Sequence, residues 1–241
     1  MTLYDDLIRE WLELFGRYEA RSLSTALSSW KDAGNDNMVF LSDTAVELGG
    51  ERRFSMNALA VTEDPSLVPE DRILLIGPDI GRIDKASPFA RLTLVRTKAG
   101  LGRTEGGEDA SSLYGAIRSL ELIKYHVNPE GYMLRISPGR QTEAVRISRE
   151  AVERGMSFSH IGNMYREAFH KNKLTEAVMS VFITDPAVDF DRLKKLMKLS
   201  ADITKTLDHI SEKAALMDCG TCDLQEVCDE VEGLRELHFK K

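Results

Sequence analysis

Apolar positions near the start of the chain recur at spacings of three and four. Leu3, Leu7, Trp11, Leu14 and Tyr18 fall in this rhythm, with Asp5, Glu10, Glu13 and Arg17 between them. That period predicts an amphipathic helix. A second short helix is predicted over Ser22 to Lys31, leaving through the loop-forming run Asp32-Ala-Gly-Asn-Asp-Asn37. Trp11 and Trp30 read as core, with a partner surface as the alternative.

From Met38 to Arg96 the period changes to two. Ala45 to Leu48, Phe54 to Thr62, Arg72 to Ile76 and Phe89 to Arg96 are predicted strands, separated by turn residues such as Gly49-Gly50 and Gly77-Pro78-Asp79. Ile73-Leu-Leu-Ile76 is continuous rather than alternating, the pattern of a strand buried on both faces. The glycines of 77–81 have no helix opening behind them, so they make a weak phosphate loop. Gly100 to Gly107 is a glycine-rich, charged loop.

The later chain alternates between the two periods. A helix is predicted over Asp109 to Val127, with Leu113, Ile117, Leu120 and Ile123 facing inward. Tyr132 to Ser137 and Ala144 to Ser148 read as strands around the turn Pro138-Gly139-Arg140. Ser148 suits the N-cap of a helix through Ala151 and Val152. Phe158, Ile161, Tyr165 and Ala168 mark another helix, and Ala177 to Thr184 another strand. Asp185-Pro186 reads as a cap followed by a first-turn proline. From Phe190 to Met217 apolar residues keep a helical period for roughly 30 residues, roughly 45 Å if unbroken. The expected fold is mixed α/β: a mixed sheet flanked by helices, with a long C-terminal helix leading to a cysteine-rich tail. Its expected divisions are a helical segment over 1–37, an α/β domain over 38–217 and the tail over 218–241.

The chain has 241 residues, 42% hydrophobic and 29% charged, an ordinary soluble composition. A formal charge of −7 lacks the basic face that nucleic-acid binding needs. No apolar run approaches the roughly 20 residues of a membrane span, and the start lacks the basic region of a secretory signal. A cytoplasmic, reducing compartment follows by elimination. Oligomeric state is not legible.

The sharpest chemistry lies at the end. All three cysteines, Cys219, Cys222 and Cys228, fall within ten residues, and His238 follows ten positions later. A Cys-x2-Cys pair lets two thiolates reach one metal from a tight turn, and Gly220 supplies permissive backbone. Cys228 supplies a third thiolate. His238, a partner chain, a substrate or solvent completes the set. The competing readings are a redox dithiol at Cys219 and Cys222, and three unrelated thiols on a frayed tail. An odd count argues against a disulfide framework.

Arg135, Arg140, Arg146 and Arg149 cluster between two strands and a helix start. Guanidinium forks grip phosphates, and the helix start at Ser148 adds a favourable dipole. The bland alternative is a solvated strand face paired with Glu143 and Glu150. His126, His160, His170 and His209 stand apart from any serine, cysteine or carboxylate at catalytic spacing and read as surface or helix-end residues. No nucleophile elbow or metalloprotease helix is present, so no catalytic residue is assigned.

A set of short motifs falls in order along the chain: Ala45-Val-Glu-Leu-Gly-Gly50, Ile76-Gly-Pro-Asp-Ile80, Glu130-Gly-Tyr-Met133, Arg140, Arg146-Ile-Ser148, Ala151-Val152, Gly155, Phe158, Gly162 and Phe182-Ile-Thr-Asp185. In order and spacing they resemble the middle domain of CO-methylating acetyl-CoA synthase, the β subunit of the CO dehydrogenase/acetyl-CoA synthase complex, from about Met38 to Asp185. The resemblance implies that Cys219, Cys222 and Cys228 match the first three cysteines of a [4Fe–4S] site, with a shorter second gap. It also implies that His238 stands in place of the fourth cysteine. Cys3His suits zinc as well. It implies coenzyme A as a ligand, with Arg140 and Arg146 the arginines that match, although the family's tryptophans of that segment are absent. The family's Cys-Gly-Cys nickel motif has no counterpart here, nor does its N-terminal docking domain. The expectation is therefore kinship without full acetyl-CoA synthesis. The leading role is an iron–sulfur accessory or docking component of anaerobic one-carbon metabolism, near CO dehydrogenase or corrinoid iron–sulfur protein partners. The alternatives are a coenzyme A-dependent acetyl- or methyl-transfer enzyme and a zinc-stabilised binding module.

Overall fold

The computed structural model describes residues 3–50, 54–104, 107–137, 142–213, 222–231, 233, 234 and 237. In chain order its elements are α1 (Asp5–Phe15), β1 (Ala20–Leu23), β2 (Thr44–Leu48), β3 (Ser55–Thr62), β4 (Arg72–Ile76), β5 (Ala86–Ser87), β6 (Phe89–Thr97), β7 (Arg103–Thr104), β8 (Gly107–Glu108), α2 (Ala110–Leu122), β9 (Tyr132–Ser137), β10 (Thr142–Ser148), α3 (Arg149–Glu153), α4 (Phe158–His170), β11 (Thr175–Ile183), α5 (Phe190–Lys213) and α6 (Gln225–Glu230). A 3-10 turn, Ile123–His126, continues α2.

Two sheets carry the body. The larger has strand order β1-β4-β11-β6-β3, and the smaller β5-β2-β10-β9. In the larger sheet β11 runs parallel to β4 and antiparallel to β6, while β3 runs parallel to β6. The fold is therefore mixed α/β, as the change of period predicts. All four residues of Ile73-Leu-Leu-Ile76 are buried, which is what an uninterrupted apolar run in an inner strand requires.

Helices cover the larger sheet because their apolar stripes have nowhere else to go. Gly162 of α4 lets that helix approach β4 so closely that a Cβ there would lie 2.8 Å from the Ile73 side chain. Phe158 of α4 and Phe182 of β11 stack at 4.7 Å beside Phe89 of β6. On α1, Leu7, Ile8, Trp11 and Leu14 are buried. The Tyr4 hydroxyl meets Thr204 of α5 at 3.0 Å, and Thr62 of β3 donates to Asp5 at 2.7 Å. Ser200 of α5 donates to the Leu59 carbonyl on β3 at 2.7 Å.

Two local expectations fail. Instead of a helix over Ser22 to Lys31, the chain forms β1, with Ala20 opposite Ile76 and Leu23 opposite Ile73. The flank of β4 offers ladder partners there. Beyond it the Ser24 and Ser28 hydroxyls accept from the backbone N–H groups of Ala26 and Trp30, and such local bonds compete with a helix. Asp185 caps only a turn, accepting from Ala187 N. The amides of Thr184 and Asp185 both donate to the Ile76 carbonyl, which ties the chain to the end of β4. The cap role passes to Asp189, which accepts from Arg192 N at 2.9 Å.

Candidate metal centre and anion sites

The cysteine segment follows α5. Cys222 begins a turn whose carbonyl accepts from Gln225 N at 3.1 Å, and Cys228 lies on α6, its amide donating to the Leu224 carbonyl. Both cysteines are half-buried. Further on, Val231, Leu234 and Leu237 are buried in the main core, and a Cβ at Gly233 would sit 3.4 Å from Leu3. Among the described residues the tail is thus packed onto the body rather than frayed. Cys219 and His238 lie outside the described residues.

The Nε2 of His209 stands 3.9 Å from the Cys222 sulfur. That is long for a hydrogen bond, and near the roughly 3.6 Å that separates two ligand atoms on a tetrahedral ion with metal–sulfur and metal–nitrogen bonds of about 2.3 and 2.1 Å. Among the described residues no group of three histidine, cysteine or carboxylate side chains gathers around one point. The donor set of a soft thiolate and an imidazole is nevertheless one that zinc and iron both accept. By spacing alone His209 reads as isolated. The available signal was its place one turn before the end of the helix that delivers the chain to the cysteines.

Two other histidines also have partners. His170 Nε2 meets the Asp71 carboxylate at 2.9 Å, and His160 Nδ1 meets the Ser157 hydroxyl at 2.9 Å. Spacing along the sequence offers His170 no such partner; the fold, not sequence proximity, brings Asp71 and His170 together at the end of α4. Ser157 and His160 are only one helical turn apart, and no carboxylate orients His160 among the described residues.

The arginine cluster divides. Along β10, Glu143, Val145 and Ile147 point inward while Arg146 is half-buried on the other face. Arg146 and Arg135 both meet Glu47 of β2, at 3.4 and 2.6 Å. They form a solvated ion-pair face, but with Glu47 rather than Glu143. Arg140 lies outside the described residues. Glu143 is fully buried, and its two oxygens accept from Arg91 Nε and Nη2 at 2.7 and 2.6 Å. The Arg91 guanidinium also stacks 3.9 Å from the Tyr165 ring centroid.

Ser148 accepts from Ala151 N as the cap of α3. It opens on a cleft of about 650 Å³ lined by Asn37, Met38, Glu130, Gly131, Arg149 and Arg154. Arg154 packs 4.8 Å from the Trp30 ring and donates to Glu130 at 2.9 Å. The hydrogen bonds from Arg154 and Lys31 hold the Glu130 carboxyl below the usual carboxylate range. Among the described residues no helix is long and apolar enough to cross a membrane.

No curated protein matches the sequence. The family described as CdhC, CO dehydrogenase/acetyl-CoA synthase complex beta subunit, matches over residues 34–188. The match covers both sheets except β1, together with α2, α3 and α4, and stops just before the helix that leads to Cys222. On that match, which spans more than half of the sequence, the chain belongs to the CO dehydrogenase/acetyl-CoA synthase complex beta subunit family.

Proposed function

We propose that this protein is a metal-cluster-bearing accessory component of acetyl-CoA synthase-related one-carbon metabolism. It holds an iron–sulfur cluster on Cys219, Cys222 and Cys228. The observation that carries the reading is the 3.9 Å approach of His209 to Cys222, in a segment that also contains two more cysteines. Membership of the family supports the metabolic setting. The bound cluster would supply one-electron chemistry. The chain's own part is to present deprotonated thiolates on a packed tail and to set their surroundings. Asp223, Glu226, Asp229 and Glu230 cluster around Cys222 and Cys228 in the sequence, and their charge favours a low reduction potential. An imidazole completes the set, from His209 or from His238. Exposed Met38, Phe40 and Leu41 offer an apolar contact to a CO dehydrogenase or corrinoid protein partner.

Anaerobically purified protein should contain iron and acid-labile sulfide in stoichiometric amounts. His209→Ala should lose or loosen the cluster if His209 is the ligand, and His238→Ala should do so if His238 is. Zinc without sulfide would replace the cluster reading with a zinc knot. Three freely titrating thiols and no metal would sink both.

Coenzyme A binding is a second reading, favoured by the cleft beside α3, where Arg149 and Arg154 stand with Trp30 behind them. Isothermal titration of wild type, Arg146→Ala, Arg140→Ala and Arg154→Ala tests it. Equal affinities in all four would end any role for these arginines.

A further inference from the structure

A second pocket, of about 280 Å³, opens where α2 and its 3-10 extension meet α5 and the outer edge of β3; Asn57, Arg118, Glu121 and Lys124 are among its walls. Lys124 is the unusual member. Its ammonium has three donors, and its protein acceptor is the Asn57 Oδ1 at 2.8 Å. Among the described residues no carboxylate lies within salt-bridge reach of it.

Glu143 and Glu121, the carboxylates whose charge acts on the Lys124 ammonium, are already taken. Both oxygens of Glu143 belong to Arg91. Glu121 accepts from Arg118 at 2.7 Å and from Thr204 at 3.3 Å. Asp208 stands on the wall of the same pocket, beside Tyr114. Asn57 sits beside Arg91 in the β3–β6 register. Arg91 and Glu143 are buried and Lys124 is half-buried beside them; together they carry two cations against one carboxylate, and the unmatched cation is the one that faces the pocket. Burial pulls the Lys124 ammonium below the ordinary lysine range, Glu143 raises it and Arg91 pushes it down again. A half-buried ammonium with one protein acceptor gains from a charge-assisted partner, and an anion entering the pocket would supply it. Lys205 at the rim adds a second positive charge on the way in.

We propose that this pocket binds a small oxyanion, a carboxylate or phosphate monoanion, on the Lys124 ammonium. The site is separate from the cysteine segment and does not depend on any metal there. Sodium acetate and inorganic phosphate, each against chloride at matched ionic strength, are titrated into the full chain. Binding is followed by calorimetry and by the NMR shift of the Lys124 side chain. The expected result is saturable binding of at least one of the two ions with a shift of the Lys124 resonance. Lys124→Met should weaken that binding at least about tenfold. Asn57→Asp, which places a carboxylate against the ammonium from within, should fold and lose the response to both ions; it keeps the test decisive if Lys124→Met does not fold. Acetate binding alone assigns a carboxylate ligand, and phosphate binding alone a phosphorylated one. No saturable response to either ion in the wild type would overturn the proposal. So would an unchanged response in Lys124→Met or in Asn57→Asp.

Discussion

Arg91 and Glu143 are 1% and 0% exposed and join the larger sheet to the smaller one through two charge-assisted hydrogen bonds. A buried pair of this kind adds little over a well-packed apolar pair, but losing one member strands the other in the core. Arg91→Met alone should therefore cost about 3–5 kcal/mol, read as a lowered midpoint in urea unfolding. Arg91→Met combined with Glu143→Leu should recover much of that loss; a double variant as unstable as the single one would refute the account. Gly77 is a second sensitive position. It closes β4 at φ +107°, and a Cβ there would lie 2.5 Å from the Asp185 backbone nitrogen. Gly77→Ala should destabilise by more than about 1 kcal/mol, because backbone rather than a flexible side chain must give way. The same urea experiment checks it.

At the scale of elements, α2 depends on its cap. Asp109 accepts from Ser112 N at 2.7 Å, and the Ser112 and Ser111 amides hold its carboxyl below the usual carboxylate range. A depressed carboxylate contributes stability that is present above its unfolded pKa and lost as pH falls through its folded value. Asp109→Ala should cost about 1 kcal/mol near neutral pH, and the deficit should shrink in strongly acidic buffer. Circular dichroism melts at the two pH values measure this. The start of α2 near Asp109 was legible in the sequence because an apolar period begins there. The strands β4 and β9 fall on their predicted residues for a similar reason, since each is bounded by turn residues. β1 was not legible. Four residues of mixed polarity carry no period, and the neighbouring edge of β4, far away in sequence, makes them a strand. The pairing of His170 with Asp71 is of the same kind: it is long-range, and spacing along the chain does not encode it. His209 lies 13 residues before Cys222, and its place near the end of α5 is a signal that the sequence does carry. Lys124 was hidden for another reason. A lysine at the end of a helix reads as solvated until the fold closes around it.

At the scale of the molecule, the cysteine segment is held at both ends, by α5 before it and by buried Leu234 and Leu237 after it. Metal binding at such a segment couples to local order more than to the fold as a whole. Chelation of the metal-loaded protein should therefore raise amide exchange in α6 and the last turns of α5 while leaving the exchange of β6 and β11 unchanged. Loss of protection in both sheets would show that the metal supports the entire body.

The larger sheet is assembled out of chain order. Its central strand, β11, is the last in sequence, and it enters between β4 and β6, which were made about 80 to 110 residues earlier. During synthesis those two strands must wait with a flank unpaired and apolar faces uncovered until residue 183 has emerged. Such waiting strands are templates for pairing with other chains. Nascent or truncated chains ending before β11 should accordingly engage chaperones or aggregate, whereas the finished chain closes its sheet by insertion. Pulse-labelled chains stalled at residues 170 and 213 would show the difference as protease sensitivity before insertion and resistance after it.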